Sequence, residues 1–326
     1  MAGAILVTGG AGYIGSHVTR QLVARGERVI VLDNFATGFR EATEGAELVE
    51  GDTGDSALVR RLLLEHRVDT VMHFAAHTVV PESVADPLKY YRNNTNCSRV
   101  LLEACVAEGV GRVVFSSTAA VYGEGQGRAA REDDPLEPIN PYGRSKLATE
   151  WMLEDLATAG ALEHVSLRYF NVAGSSPDGT IGQSTPKATL LIKVAAEAAA
   201  GVRPGVSVFG TDYPTPDGTC IRDYIHVEDL AHAHVLALDH LRGGGRSLTL
   251  NCGYGRGYSV REVLDAVGRA AGAPLEITYA ERRPGDPARL VASAERIRET
   301  LGWQPQYDDL DTIVRTALAW ERNRRY

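Results

Sequence analysis

The 326-residue sequence is poor in cysteine and has none of the cysteine spacings that mark a metal site. Its four cysteines are Cys97, Cys105, Cys220 and Cys252, and no two of them form a Cys-x-x-Cys pair. Zinc sites and disulfide frameworks depend on close, repeated cysteine spacings, so neither is expected. The sequence therefore predicts free thiols in a reducing, cytoplasmic environment and no bound metal.

Long apolar runs are also absent. No stretch approaches the roughly 20 apolar residues that cross a bilayer. The N-terminus passes directly into a short apolar run at Ala4 to Val7, without the basic segment and cleavage site of a signal peptide. We therefore expect a cytoplasmic protein that has no membrane partner.

Positive charge is neither dominant nor clustered. The net charge is -8, and the basic residues are scattered along the chain. Nucleic-acid-binding surfaces concentrate basic residues in one patch, so no nucleic-acid partner is expected. An anionic small molecule needs only a few local arginines and the amide groups of a helix N-terminus, which an acidic protein can supply.

The first half of the chain alternates short apolar runs with helical patterns. Strands are predicted at Ala4 to Val7, Arg28 to Leu32, Val68 to Phe74 and Arg112 to Phe115, and helices at Gly15 to Arg25 and Asn94 to Glu108. Buried strands that alternate with helices form βαβ units around a parallel sheet. The predicted fold class is α/β, with a doubly wound parallel sheet of the Rossmann type.

The pattern changes beyond about Asn171. Ser175 to Pro186 and Phe209 to Gly218 are rich in glycine, proline and small polar residues, which is typical of binding loops. Arg261 to Ala271 and Thr312 to Arg322 have the periodicity of amphipathic helices. The C-terminal part is therefore predicted to be a smaller α/β region with long loops.

A glycine motif follows the first predicted strand. Gly9, Gly12 and Gly15 have the spacing Gly-x-x-Gly-x-x-Gly, which permits a tight turn and close approach of backbone to a pyrophosphate. Asp33 ends the second predicted strand, roughly 20 positions on, where an acidic residue binds ribose hydroxyls. Because a carboxylate there repels the 2′-phosphate of NADP, the predicted cofactor is NAD.

A candidate catalytic pair stands at the start of a predicted helix. Tyr142 and Lys146 are four positions apart and share one helix face, and Pro141 suits the first turn. A nearby ammonium favours the phenolate and lowers the pKa of a tyrosine, which makes it a usable base. Thr118 follows the strand that ends near Phe115, at the edge where open α/β sheets bind ligands.

With these residues the chain resembles the extended short-chain dehydrogenases and, among them, the UDP-glucose 4-epimerases. The resemblance runs from Ile5 to about Trp303. It includes the segments His73 to Ala76, Tyr90 to Asn94 and Leu167 to Asn171. Its most specific part is Phe209 to Thr219, which continues through Arg222 to Val227.

The resemblance implies an isomerase that keeps NAD as a tightly bound cofactor. The phenolate of Tyr142 would take the proton of the sugar C4 hydroxyl, with Thr118 bridging. The C4 hydride would pass to NAD⁺ and leave a 4-ketose. The keto sugar would then turn about its link to the diphosphate, and the hydride would return to the opposite face.

The resemblance also assigns the remaining site residues. Cofactor contacts are expected from Gly9, Gly12, Tyr13, Ile14, Gly15, Asp33, Asn34, Asp52, Thr53, Phe74, Ala75, Ala76, Thr78, Asn93, Ser116, Tyr142, Lys146 and Tyr169. UDP-sugar contacts are expected from Thr118, Tyr142, Asn171, Leu190, Leu191, Ser207, Phe209, Arg222, Arg283, Asp286 and Leu290. Residues 1–172, with 220–242 returning to them, would form the NAD-binding domain, and 173–326 mainly the UDP-sugar domain. A homodimer is expected.

Several positions depart from the family pattern or exclude a relative. Ala119 and Ala120 stand where the related 4,6-dehydratases carry an Asp-Glu pair, so the chain lacks the acid and base of a dehydratase. Thr78 stands where well-known members often have a lysine, and Leu190 where they tend to have Asn or His. Some family members have a tyrosine at the position of Leu290, which narrows the sugar pocket, and others have a small residue, which opens it. Leucine is intermediate in size.

Three other functions remain open at this point. The first is a 4-epimerase of another UDP-sugar, an N-acetylhexosamine or a pentose, which the same residues would serve. The second is an NAD-linked reductase of a nucleotide sugar, which would exchange NADH freely. The third is a silent NAD-sensing or scaffold protein on the same fold, since a fold alone does not assign a function.

Overall fold

The computed structural model describes residues 3–186, 188–283 and 285–326. The strands are β1 (Ala4–Thr8), β2 (Val29–Asp33), β3 (Glu47–Glu50), β4 (Val68–His73), β5 (Arg112–Ser116), β6 (Glu163–Tyr169), β7 (Asn171–Ala173), β8 (Val206–Phe209), β9 (Ile221–His226), β10 (Leu248–Cys252), β11 (Gly257–Ser259), β12 (Ile277–Ala280) and β13 (Arg289–Leu290). The helices are α1 (Tyr13–Ala24), α2 (Ser56–Glu65), α3 (Val80–Ala85), α4 (Pro87–Tyr90), α5 (Cys97–Ala107), α6 (Pro141–Thr158), α7 (Leu191–Ala199), α8 (Val227–Arg242), α9 (Val260–Ala271), α10 (Glu295–Leu301) and α11 (Leu310–Arg322).

The central sheet has the order β10-β6-β5-β4-β1-β2-β3 over the described residues. The pairs of β1 with β2 and β4, of β2 with β3, and of β5 with β4 and β6 are parallel. The chain builds outward from β1 in both directions, so the order reverses between β1 and β4. Ligands of such sheets bind at the carboxyl ends beside this switch point. The predicted doubly wound parallel sheet is confirmed.

The apolar strands form because both faces of this sheet are covered. Every residue of β1 and of β2 is buried. Leu6 and Ile30 share a core with Val59 and Leu62 of α2 and Leu101 of α5. Burial on both faces explains why these strands read as continuous apolar runs rather than alternating ones. The predicted ends of β1, β2, β4 and β5 lie within one residue of the observed ends.

The chain divides into two compact units. The first comprises the described residues of Met1–Val121, Pro138–Arg168 and Ala231–Leu250, and the second those of Tyr122–Glu137, Tyr169–Leu230 and Asn251–Tyr326. In the second unit β9 pairs in parallel with β7 and β13 and antiparallel with β11, while β8 pairs with β12. Helices α7, α9 and α11 of this unit pack against one another. Across the described residues, no helix combines the length and the apolar character needed to traverse a bilayer.

One carboxylate joins three segments of the second unit. Asp223 on β9 is fully buried and accepts hydrogen bonds from the backbone N–H groups of Tyr254, Gly255 and Ala292 at 3.0, 2.9 and 3.1 Å. Burial raises the pKa of Asp223 to about 6, although the three hydrogen bonds act in the opposite direction. The side chain of Asp223 therefore accepts the backbone hydrogen bonds that would otherwise need a neighbouring strand, both from the loop after β10 and from the chain after β13.

Replacing Asp223 by asparagine tests this role. Both carboxylate oxygens accept from N–H groups, so either orientation of the amide in Asp223→Asn sets an NH₂ group against a backbone donor. We expect a loss of about 1–3 kcal/mol in the free energy of unfolding, the usual cost of an unsatisfied buried group. Urea denaturation at pH 7 measures it. The exposed Asp265→Asn on α9 is the matched control, and equal midpoints for the two variants would contradict the assignment.

Candidate active site

The glycine loop is held tightly at the carboxyl ends of β1 and β4. Gly9 has φ of 69°, and a Cβ atom there would lie 2.6 Å from the backbone nitrogen of Ala75. A Cβ atom on Gly15 would lie 2.2 Å from the carbonyl oxygen of Gly9. Side chains at these two positions would push the loop away from the strand and the helix. The predicted glycines therefore serve a close-packed turn.

Helix α1 starts directly behind this turn. Its N-cap residue is Gly12, which provides no side chain to cap the first turn. The amide groups of Ile14 and Gly15 lie in that first turn, where an α-helix offers no internal acceptor. Such amides, together with the helix dipole, form a site for a phosphate group.

Asp33 is anchored at the end of β2. One of its carboxylate oxygens accepts from the N–H of Ala11 at 2.9 Å and the other from the N–H of Phe35 at 2.8 Å. Burial raises the pKa of Asp33, and these two bonds counteract it. Each oxygen keeps a further lone pair for a hydroxyl donor. The close-packed glycine turn, the uncapped helix and this carboxylate together fit a dinucleotide with a free ribose 2′-hydroxyl, as NAD has.

Asn34 and Asp52 lie next to Asp33 at the ends of β2 and β3. The side-chain amide of Asn34 donates to the carboxylate of Asp52 at 3.0 Å. The second oxygen of Asp52 accepts from the N–H of Gly54 at 2.8 Å. Thr53, the next residue in the chain after Asp52, is buried. The structure thus brings the predicted Asn34, Asp52 and Thr53 together beside Asp33.

A π-helical segment, Tyr91–Asn96, fixes the chain that follows β4. The side chain of Asn94 accepts from the N–H of His77 at 2.8 Å and donates to the carbonyl of His77 at 3.0 Å. It also donates to the hydroxyl of Ser145 on α6 at 3.0 Å. The predicted Asn93 donates to Asn94 at 3.0 Å. Asn94, which was not predicted as a site residue, therefore joins this chain to α6, as π-helical turns at functional sites often do.

The segment after β4 carries little positive charge. Phe74, Ala75 and Ala76 are half-buried, and Thr78 is exposed. Burial, and Lys89 nearby, lower the pKa of His77 below its usual range, so its ring is neutral at pH 7. Cofactor phosphates at this position would thus depend on backbone amides rather than on a cation.

Helix α6 positions the predicted catalytic pair. It begins at Pro141, and the side chain of its N-cap Asn140 accepts from the N–H of Gly143 at 2.9 Å. Tyr142 and Lys146 are both buried on this helix. Beyond β5, the hydroxyl oxygen of Thr118 accepts from the N–H of Ala120 at 3.1 Å, so its proton is available to another acceptor.

Lys146 is the most strongly perturbed cation of the site. Its ammonium donates to the carbonyl of Ser116 at 2.9 Å and lies 4.9 Å from the ring centre of Phe115. Burial lowers the pKa of Lys146 to about 7, while Glu150 raises it. His73, which contacts Thr8 and Ser98 at 2.6 and 2.8 Å, has its pKa lowered to about 3 by burial and by Lys146. Lys146 therefore has the neutral imidazole of His73 near it, and the carboxylate of Glu150 lies one turn further along α6.

Sequence reasoning missed a buried ion pair behind this site. Arg168, the penultimate residue of β6, donates to both carboxylate oxygens of Glu150, with distances of 2.7 to 3.1 Å. The hydroxyl of Ser117 donates to the same carboxylate. The available signal was an acidic residue four positions after Lys146, on the buried side of the predicted helix.

The second unit gathers the predicted diphosphate and uridine residues around β9. Arg222 on β9 lies opposite Leu290 of β13 in the strand register, and its guanidinium is 3.7 Å from the carboxylate of Asp286. The guanidinium of Arg283 lies 3.6 Å from the ring centre of Phe209, at the end of β8. Two arginines, one aromatic ring and one carboxylate therefore line this part of the unit.

The remaining predicted residues lie at element ends. Asn171 on β7 faces Tyr224 of β9, and Tyr169 is buried at the end of β6. Leu191 begins α7, whose N-cap Leu190 makes no side-chain capping bond. Ser207 on β8 is exposed and contacts the hydroxyl of Thr278 on β12 at 3.0 Å. Because Leu190 is apolar, it leaves the first turn of α7 without a side-chain cap.

Comparison with known proteins agrees with this geometry. Residues 5–253 match the NAD dependent epimerase/dehydratase family. A UDP-glucose 4-epimerase of Azospirillum brasilense is 60% identical over 320 residues, which are 98% of this chain and 92% of the relative. The crystal structure of UDP-glucose 4-epimerase from Brucella ovis in complex with NAD is 46% identical, with a TM-score of 0.93 and coverage of 98% and 99% of the two chains.

A third similar protein has a name that includes two UDP-sugars. The UDP-Glc/GlcNAc 4-epimerase from Campylobacter jejuni is 48% identical, with a TM-score of 0.86 and coverage of 99% of this chain and all of the other. The glycine turn, the carboxylate after β2 and the Tyr-Lys pair thus occur in a chain whose nearly full length matches such enzymes. This chain belongs to the NAD dependent epimerase/dehydratase family, in its UDP-glucose 4-epimerase group.

Proposed function

We propose that this protein catalyses the NAD-dependent, reversible interconversion of UDP-galactose and UDP-glucose. The main support for the proposal is the pair of buried residues Tyr142 and Lys146 on α6. Burial lowers the pKa of Lys146 to about 7. A scaffold or NAD-sensing protein has no need to bury a lysine one helical turn from a buried tyrosine. The presence of Thr118 at the adjacent strand end completes the set that the reaction needs.

Tyr142, Lys146 and Thr118 are proposed to act on the proton of the sugar C4 hydroxyl. Lys146, as an ammonium, favours the phenolate of Tyr142, which takes the proton of the sugar C4 hydroxyl. The hydroxyl of Thr118 has a free proton to donate toward the same oxygen. Bound NAD⁺ supplies a reversible acceptor for the C4 hydride. Because the hydride and the proton both return to the sugar, no net oxidation occurs, and the reaction is an isomerisation.

The two units are proposed to divide the binding. The first holds the NAD-binding turn, Asp33 and the catalytic residues. The second would hold the UDP part: Arg222 and Arg283 suit a diphosphate, which guanidinium groups bind in bidentate fashion. The ring of Phe209, already beside a guanidinium, provides a flat apolar surface for uracil.

The identity of the sugar is argued from Leu290. Its half-buried side chain lies on β13 opposite Arg222, beside the proposed diphosphate residues. Leucine fills less space than tyrosine and more than a small residue, so the hexose is proposed as the preferred substrate. The N-acetylated sugar is the second candidate, and the Campylobacter jejuni relative, known as a UDP-Glc/GlcNAc 4-epimerase, favours testing it.

A homodimer is proposed from an apolar patch on the first unit, formed by Val84, Leu88, Tyr91 and Trp151. The exposed fractions of Leu88, Val84 and Trp151 are 70%, 62% and 57%. Helices α3 and α4 both pack against α6, which carries Trp151, so these side chains lie on neighbouring elements. Exposed apolar patches of this kind mark association surfaces. The free thiols of all four cysteines suit the proposed cytoplasmic location.

Conversion of UDP-galactose without added NAD is the first test. The purified protein should form UDP-glucose, detected by chromatography, because the cofactor remains bound. Tyr142→Phe should lower the rate by roughly 10²–10⁴-fold through loss of the base. The exposed Tyr279→Phe on β12 is the matched control and should keep full activity. Formation of no product even with added NAD would reject this substrate pair. A requirement for added NAD would show weak retention of the cofactor, with the His77-Thr78 departure as the first cause to test.

Leu290→Tyr tests the steric argument. Added bulk should lower kcat/KM for UDP-N-acetylgalactosamine at least tenfold and change that for UDP-galactose only a few-fold, as pocket volume changes usually do. A coupled assay with both sugars measures this. Leu64→Tyr, at an exposed leucine of α2, is the control for a tyrosine elsewhere. Full activity of Leu290→Tyr on the acetylated sugar would refute the steric role.

Trp151→Glu tests the dimer. A charge within the patch should weaken association, so sedimentation equilibrium at micromolar concentration should give the monomer mass. Val202→Glu, at a 53% exposed valine of the second unit, should keep the mass of the unmodified protein. A monomeric unmodified protein, or a Trp151→Glu variant of unchanged mass, would argue against this surface.

A further inference from the structure

Three elements of the first unit meet at the carboxylate of Glu150. Glu150 lies on α6, one turn after Lys146, and its side chain is 5% exposed. Arg168 reaches it from β6 and donates from Nε to both oxygens at 3.1 Å and from Nη2 to one at 2.7 Å. Ser117, just beyond β5, donates its hydroxyl to the same carboxylate. The charge of Glu150 is thus balanced by Arg168, and its carboxylate oxygens accept hydrogen bonds from Arg168 and Ser117.

Ser117 makes this junction relevant to the chemistry because it immediately precedes Thr118. Its N–H donates to the carbonyl of Leu167 at 2.9 Å, which continues the pairing of β5 with β6 beyond Ser116. The carbonyl of Ser116 in turn accepts from Lys146. The peptide that carries Thr118 is therefore fixed on one side by Lys146 and on the other by Glu150, both from the same helix.

Glu150 is also the only carboxylate that acts on Lys146 in the described part of the chain. The titratable or charged groups around Lys146 are Tyr142 and Glu150 on its own helix, the neutral His73 on β4, and Arg168, which reaches Glu150 from β6. Burial disfavours the ammonium, and Glu150 favours it. Arg168 prevents the carboxylate from becoming an unpaired buried charge.

We propose that Glu150 is a positioning residue of the active site: it sets the strand end that carries Thr118 against Tyr142 and Lys146, and it places a carboxylate one helical turn from the ammonium of Lys146. This inference rests on the proposed epimerase function. Glu150 touches no reacting atom, since Ser117 and Arg168 occupy its carboxylate. Its effect on the sugar is transmitted through Thr118 and Lys146.

The small number of lysines allows a direct measurement. The sequence has only Lys89, Lys146, Lys187 and Lys193, so selective isotope labelling gives four side-chain signals, and Lys146→Arg assigns one of them. The pKa of Lys146 is then followed by NMR titration of the holoenzyme. Glu150→Gln removes the charge and should lower the pKa of Lys146 by about one unit, because the carboxylate that favours its ammonium is lost. The alkaline limb of kcat should move in the same direction.

Kinetics separate positioning from folding. Glu150→Gln should lower kcat by about tenfold or more with KM within a few-fold, the signature of an interaction that matters after binding. Ser117→Ala keeps the charge and should lower kcat while the pKa of Lys146 stays unchanged. If Glu150→Gln does not fold, the pair Glu150→Leu with Arg168→Met replaces the ion pair by apolar groups, a change that such sites tolerate. It should lower the pKa of Lys146 as well.

Glu321→Gln in the second unit is the matched control. Glu321 also forms a buried ion pair, with Lys193. This variant should lose stability and move the signal of Lys193, with the pKa of Lys146 and the kcat profile unchanged. The proposal is overturned if Glu150→Gln leaves both the pKa of Lys146 and the pH profile of kcat where they were, or if Ser117→Ala is fully active. An enzyme inactive on all UDP-sugars would reject the proposed function, while the titration of Lys146 would still decide the role of Glu150.

Discussion

The burial of one lysine side chain, Lys146, constrains how the strands and helices of the first unit meet. Lys146 is 2% exposed and has a carbonyl, an aromatic ring and a neutral imidazole around it. Burial of an ammonium without compensation drives it to the neutral form. The compensation comes from the carbonyl of Ser116 and, one turn further along α6, from Glu150. The ends of β5 and β6 must therefore meet α6 in one register, since a shift of either would remove part of this support.

The second unit solves a different electrostatic problem. Arg222 and Arg283 carry planar guanidinium groups, which suit the binding of a phosphate rather than the transfer of a proton. Arg283 stacks on Phe209 and Arg222 lies near Asp286, contacts that hold the guanidinium planes without burying them fully. Such prearranged cations bind a diphosphate at a low entropic cost. In the proposed function, the tunable lysine acts on protons, whereas the arginines bind the diphosphate.

Residue spacing predicted the parts of this protein that depend on local chain geometry. The glycine turn, Asp33 at a strand end and the pair Tyr142 and Lys146 all follow from short-range rules, and β1, β2, β4 and β5 end within one residue of their predicted ends. Glu150 and Asn94 were missed because their roles depend on partners far along the chain, such as Ser117 and Ser145. The last three residues of the π-helical segment, 94–96, were predicted as the start of an ordinary helix, since one additional residue per turn hardly alters an apolar pattern. Confirmation of the fold and family leaves the individual site residues as proposals.

The position of Thr78 shows why prearranged backbone matters to this protein. With a net charge of -8 and no lysine after the Phe-Ala-Ala segment, the chain offers an anionic dinucleotide little long-range attraction. In the proposed site, binding then depends on groups that act at short range: the first-turn amides of α1 and the carboxylate of Asp33. Short-range groups are effective only if they are already in place, because ordering them on binding would consume the gain. The close packing of Gly9 on Ala75 and the two backbone bonds to Asp33 provide that order before the cofactor arrives. In the proposed site, the close-packed glycine turn therefore contributes to affinity because it is already in place, and NAD binding does not require a cation near Thr78.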